Sequence, residues 1–216
     1  LPRLLRLRRG FVERVQRWPA DRFVGIDAPD FNLGVAARLR AAGLRTMQYV
    51  SPAIWAWRPK RIDAIRAAVD HMLCIFPFEQ AIFERAGVRA TYVGHPLART
   101  IPRAPDSAAA RVRLGLTPDR TTVALLPGSR RAEVASLGAP FLGAAALLAR
   151  RDARLQCVLP VADGGLRALI EQQCAASGLD RAQLTLVDGR SHDCLEAADV
   201  VLVAGGTATL EAMLFK

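Results

Sequence analysis

The sequence predicts an α/β protein made of two units, each a parallel sheet with crossover helices. Three observations carry that prediction. Short apolar runs alternate with helical patterns along nearly the whole chain. The stretch from Pro96 to Asp106, which holds Pro102, Pro105, Arg99 and Arg103, interrupts the alternation once. Finally, Gly25-Ile26-Asp27-Ala28-Pro29-Asp30-Phe31-Asn32, Leu126-Pro127-Gly128-Ser129-Arg130 and Ala204-Gly205-Gly206-Thr207-Ala208-Thr209-Leu210-Glu211 each leave an apolar run and enter a helical pattern. That is where α/β folds place their ligand-binding loops.

In chain order, the first element is a basic amphipathic helix. Leu4, Leu7, Phe11, Val15 and Trp18 recur at helical spacing, while Arg3, Arg6, Arg14 and Arg17 fall largely on other faces. Gly10 weakens it. The helix reads either as packed on its own domain or as a patch lying on an anionic membrane. Strands are predicted over 22–26, 45–50, 71–75 and 90–93, with helices over 33–42, 59–69 and 78–86. Beyond the proline-rich stretch, strands are predicted over 122–126, 155–160, 183–187 and 200–203, with helices beginning at Arg131, Gly164, Cys194 and Thr207. The predicted domains are 1–103 and 104–216, with a cleft between them. A chain that opens on Leu1 and stops at Phe215-Lys216, barely into its last helix, reads as an internal piece of a longer protein. Both sheets are therefore expected to be truncated by missing chain ends.

With 51% hydrophobic and 23% charged residues, the chain can bury a substantial core and is not a disordered tail. Its 30 basic against 20 acidic side chains favour anionic partners such as nucleotides, phosphorylated substrates or acidic lipid. The basic and aromatic interleaving of a nucleic-acid groove is absent outside Trp55-Ala56-Trp57-Arg58, which argues against nucleic acid. Cys74, Cys157, Cys174 and Cys194 are scattered, with no spacing suited to zinc, and read as packing residues in a reducing compartment. The apolar stretch 141–149 is too short to span a bilayer, and no signal peptide with a cleavage site is visible.

Three motifs carry chemistry. In 126–130 a glycine lets the backbone approach a ligand, Ser129 can cap the following helix, and the amides at the helix start attract phosphate oxygens. Arg130 can clamp a diphosphate, though an ordinary capped turn fits the pattern as well. In 204–211, Gly206 and Thr207 repeat this logic and Glu211, one turn into the helix, can accept from ribose hydroxyls. The bland alternative is a glycine turn with a salt-bridged glutamate. In 25–32, Asp27 and Asp30 stand at a strand end, and Asp30 suits either proton abstraction or helix capping.

Taken with 49–58 (Tyr49-Val50-Ser51-Pro52-Ala53-Ile54-Trp55-Ala56-Trp57-Arg58), Phe76-Pro77-Phe78-Glu79 and Val93-Gly94-His95-Pro96-Leu97, these segments closely resemble the lipid A disaccharide synthase family of bacterial glycosyltransferases. The resemblance runs from about Phe23 to Lys216. It implies two Rossmann-like domains of the GT-B type, with a nucleotide-sugar site on the second and an acceptor site on the first. It implies transfer of 2,3-diacylglucosamine from UDP-2,3-diacylglucosamine to 2,3-diacylglucosamine 1-phosphate, giving a β-1,6 disaccharide phosphate and UDP for lipid A, the lipopolysaccharide anchor. The family works as a peripheral protein on the cytoplasmic face of the inner membrane. Asp30 matches its candidate general base and Arg130 the arginine that neutralises the leaving diphosphate. Ser129, Gly206, Thr207 and Glu211 are implied as substrate contacts. No cofactor is implied: the catalysis is electrostatic and without a metal, in line with the absence of a clear DxD motif.

The sequence departs from the family at Gly205, where serine is usual, and it lacks the family's N-terminal glycine-rich loop and C-terminal portion. Residues 1–216 alone are therefore expected to be weakly active or inactive. A homodimer is left open, as are acyl-chain preference and the roles of Asp27, His95 and the tryptophans. Two competing readings remain: another UDP-sugar enzyme of similar architecture, such as an epimerase or the glycosyltransferase of peptidoglycan synthesis, and a non-catalytic membrane-binding module.

Overall fold

The computed structural model of the chain describes residues 2–57 and 59–215. Arg58, Lys216 and the side chains of Ala56, Trp57 and Pro59 lie outside the described residues, and with them the expected surface at Trp57. The chain divides between Pro96 and Leu97 into two compact units, earlier than the boundary expected after Arg103. The reason lies in packing. Ile101 is buried with Ala110, Leu114 and Leu126 of the second unit, and Leu97 rests against that cluster. The prolines stiffen the stretch, but its apolar side chains follow the second core.

In the first unit the order is α1 (Pro2–Arg17), β1 (Arg22–Ile26), α2 (Pro29–Ala41), β2 (Arg45–Tyr49), α3 (Ile54–Trp57), α4 (Ile62–Ala68), β3 (His71–Cys74), α5 (Pro77–Arg85) and β4 (Ala90–Tyr92). The strands are parallel in the order β1-β2-β3-β4, with Arg22 opposite Arg45, Met47 opposite His71 and Met72 opposite Ala90. Strand alternation turns Met72 and Cys74 into a core shared with Leu33, Ala36, Ile65 and Phe83. Helix α2 starts earlier than residue 33, because Pro29 fits the first helical turn, where no amide is needed. The helix expected over 59–69 opens as a 3₁₀ turn, Pro59–Arg61, before α4. Helix α1 docks on α2 through Val12, which packs with Val35 and Leu39.

The second unit runs α6 (Leu97–Thr100), α7 (Ser107–Leu114), β5 (Thr122–Leu126), α8 (Arg131–Arg151), β6 (Gln156–Val161), α9 (Arg167–Ser177), β7 (Leu184–Asp188), α10 (Ser191–Ala197), β8 (Val200–Val203) and α11 (Thr207–Phe215). Its strands are parallel in the order β7-β6-β5-β8. Strands β5 and β6 are buried along their whole length, which is why they read as continuous apolar runs. One face is covered by residues of α8 and α9, where Leu142 and Ile170 pack on Leu125 and Leu159. The other carries α7, α10 and α11 around Ala124 and Val158. This is a doubly wound sheet. The chain moves outward from β5 to β6 and β7, then returns to pair β8 with the opposite edge of β5. The topological switch point, where such sheets open a crevice, therefore lies between β5 and β8.

Other elements depart from expectation: α3 and α6 are short helices that were not predicted, and α10 starts at Ser191 rather than Cys194. Helix α7 is not foreseen by sequence. Its start is fixed by Asp106, whose side chain accepts from the Ala109 amide. Helix α8 is long and apolar enough in length and composition to cross a membrane, although no stretch was expected to span one. It lies on the sheet instead, with Val134, Leu142, Ala145 and Ala146 buried. Burial pushes the Cys74 and Cys194 thiols up to about 12 and Cys157 up to about 11, as suits packing residues.

Candidate functional site

The second unit holds a cavity of about 440 Å³ at the switch point, with Ser129, Arg130, Gly206, Thr207 and Glu211 in its wall. Strand β5 delivers the first two and strand β8 the other three, so adjacent parallel strands bring together loops about eighty residues apart in sequence. Two helix starts, those of α8 and α11, face one space, and each supplies backbone donors and positive dipole. Gly189 and Ser191, beyond the end of β7, complete the wall and were not singled out by sequence. They follow no glycine-rich pattern that would have marked them.

The loop after β5 differs from its expected form. Ser129 does not cap α8; Arg130 holds the cap position, in an extended conformation. The carboxylate of Glu133 folds back over the turn, and its Oε2 accepts from the Ser129 amide at 3.1 Å and the Arg130 amide at 3.2 Å. Its Oε1 accepts from Arg130 Nη1 at 2.6 Å. The Arg130 side chain, followed by the two amides, holds the Glu133 carboxyl below the usual carboxylate range. Gly128 sits at φ +129°, and a Cβ there would lie 2.5 Å from Glu133 Cβ and 2.7 Å from Oε2. The glycine thus admits Glu133 as well as leaving room for a ligand. On the other side of the cavity, Glu211 Oε1 stands 3.7 Å from His192 Nε2.

Asp30 belongs to the first unit. It borders a cavity of about 260 Å³ together with Asp27, Ser51 and Arg61, and a more apolar one of about 320 Å³ with Leu4, Leu5 and Phe31. It does not cap α2. That position belongs to Ala28, and the Asp30 carboxylate accepts from Arg61 Nη2 at 2.7 Å through Oδ1. With 83% of its side chain exposed, it is reachable by a ligand. Among the described residues Oδ2 has no hydrogen-bond partner, which leaves it able to accept a proton.

The turn that carries Asp30 is strained. Asp27 and Ala28 adopt left-handed φ of 50° and 39°. Asn32 Nδ2 secures it by donating to the carbonyls of Ile26 at 3.0 Å and Asp27 at 2.7 Å, and buried Gln48 Nε2 donates to the Asp27 carbonyl at 3.0 Å. The same Gln48 amide reaches the carbonyl of Val50, itself at φ 67° on the next turn. Ser51, which follows, donates to the buried carboxylate of Glu79. Two strand ends are therefore tied to each other from beneath. His95, expected near the linker, packs its ring 5.8 Å from that of Phe76.

The sequence matches the family described as Lipid-A-disaccharide synthetase over residues 1–216. It is 51% identical over 210 residues to the lipid-A-disaccharide synthase of Albidiferax ferrireducens, covering 97% of this chain and 54% of that protein. It is 53% identical over 216 residues to the enzyme of the same name from Pseudomonas aeruginosa, covering 100% and 57%. The chain thus spans a little over half the length of these curated relatives. Among solved structures, that of a UDP-GlcNAc 2-epimerase from Methanocaldococcus jannaschii aligns with a TM-score of 0.61 at 10% identity, over 98% of this chain and 64% of that one. An apo structure of OtsA aligns with a TM-score of 0.59 at 12% identity, over 99% and 60%. At such identities the likeness speaks for the α/β fold alone. The sequence matches are of another order, and by them the chain belongs to the lipid-A-disaccharide synthetase family.

Proposed function

We propose that the full-length protein is a glycosyltransferase that moves 2,3-diacylglucosamine from its UDP derivative to 2,3-diacylglucosamine 1-phosphate in lipid A biosynthesis. The observation that carries this reading is the cavity at the switch point, where Arg130, two helix starts and Glu211 converge from separate loops. A nucleoside diphosphate needs this combination: donors and positive dipole for its phosphates and a carboxylate for its ribose hydroxyls. The donor sugar is then carried on the second unit.

In the reaction, the acceptor's 6-hydroxyl attacks the anomeric carbon of the donor. The bond from that carbon to the diphosphate oxygen breaks, and its electron pair leaves with UDP. Asp30 takes the hydroxyl proton on Oδ2, while Arg61 holds the other oxygen. Arg130 and the amides at the start of α8 offset the charge that develops on the departing diphosphate. The substrates' acyl chains belong to a membrane, and α1 suits attachment to one. Leu4 and Leu7 are exposed among arginines on a helix otherwise docked through Val12, and Trp18, just past its end, is exposed as well. We therefore place the protein peripherally on the cytoplasmic face of the inner membrane.

Calorimetry of UDP binding to the full-length protein tests the nucleotide site. Arg130→Ala is expected to weaken UDP binding by roughly ten- to a hundredfold, the scale of a lost charge-assisted contact. Unchanged affinity would remove Arg130 from the site.

A further inference from the structure

In the cavity wall, three of the donors that a diphosphate would use, all at the start of α8, are already engaged. The Ser129 and Arg130 amides and the Arg130 guanidinium all donate to one carboxylate, that of Glu133. A backbone amide carries a single proton. It cannot donate in full to Glu133 and to a phosphate oxygen at once, and two anions cannot share the place without repulsion.

The turn is also shaped for Glu133. Gly128, with φ of +129°, leaves the space in which Glu133 Cβ and Oε2 sit. The side chain is about one-third exposed, at 32%, so it can rotate outward into solvent without opening a core. Its contact with Arg130 is a surface pair between neighbouring turns, a class that adds little to stability.

We propose that Glu133 is an internal competitor for the nucleotide diphosphate: its carboxylate occupies the phosphate donors in the empty site and yields them when nucleotide arrives. This rests on the reading of the cavity as a nucleotide site. It assigns to Glu133 a role in setting nucleotide affinity. Because the carboxylate can retake the donors, it also assists departure of UDP after transfer. Held ionised by Arg130 and the two amides, the group is a full anion at neutral pH.

The test is calorimetry of UDP binding to the full-length protein and its Glu133→Gln variant. Glutamine keeps the length and an acceptor oxygen for the amides, so the helix start is retained while the competing charge is gone. The variant is expected to bind UDP roughly three- to tenfold more tightly, with a melting curve like that of the wild type. A structure of the wild type with UDP, which needs no variant to fold, is expected to show Glu133 withdrawn from both amides. Equal or weaker binding by the variant overturns the role of Glu133 and leaves the nucleotide site standing. So does a UDP complex in which Glu133 still holds both amides. UDP binding to neither protein overturns the nucleotide site and this role with it.

Discussion

Asp30 owes its place to the residues that hold its turn. Two successive left-handed residues, Asp27 and Ala28, each cost about 1–3 kcal/mol, and the Asn32 and Gln48 amides offset that by fixing the carbonyls of the turn. Gly25 makes this possible, since a Cβ there would meet Gln48 Oε1 and come within 3.0 Å of Asn32 Cβ. Gly25→Ala is therefore expected to destabilise the full-length protein by about 1–3 kcal/mol, the range for overpacking a tight site. A lowered melting temperature checks it, and an unchanged one would mean that the turn is not held this way. The segment from Gly25 to Asn32 was legible as a turn between a strand and a helix, but its inner logic was not. Sequence left Asp30 divided between capping and proton abstraction. The structure gives the cap position to Ala28 and pairs Asp30 with Arg61, a partner 31 positions away that no local pattern could name. Glu133 shows the converse. A glutamate three residues past a helix cap is a readable local signal, but its competition with a ligand emerges only once both amides and the cavity are placed.

Elements were more legible where a short apolar run stood between turn residues. Strands β5, β8 and β1 fall where their apolar runs predict, although only β5 is buried along its whole length. Helix boundaries were less so. Pro29 extended α2 toward the site, and α7, which begins directly after the stretch read as a linker, was hidden because its alanines and arginines carry no strong periodicity. Helix α1 was visible as amphipathic, but its apolar residues divide. Val12 and Val15 serve the packing on α2, while Leu4 and Leu7 remain outward, 51% and 63% exposed. The proposed membrane contact is assigned to the outward leucines. Replacing Leu4 and Leu7 together with serine is expected to lower binding of the full-length protein to vesicles containing anionic phospholipid by roughly tenfold or more, from the apolar area no longer buried. Co-sedimentation measures it. Undiminished binding would assign the helix to packing alone.

At the scale of the whole molecule, each unit is a parallel α/β sheet with its candidate chemistry at the carboxyl ends of its strands. The net charge of +10 suits a protein whose proposed substrates and membrane surface are all anionic. The alternation of apolar runs with helical patterns on either side of the proline-rich stretch was enough to predict both sheets. The strand order β7-β6-β5-β8, which makes a crevice of two distant loops, could be known only from three dimensions. The central claim is that Asp30 and Arg130 serve one transfer reaction from separate units. It is tested most directly by incubating the full-length protein with UDP-2,3-diacylglucosamine and 2,3-diacylglucosamine 1-phosphate and following disaccharide phosphate by mass spectrometry, beside Asp30→Ala. The account predicts product with the wild type and a loss of roughly 10²–10⁴-fold in rate with the variant, whose UDP binding is unchanged. No product from the wild type, or an Asp30→Ala variant that transfers at the wild-type rate, would contradict it.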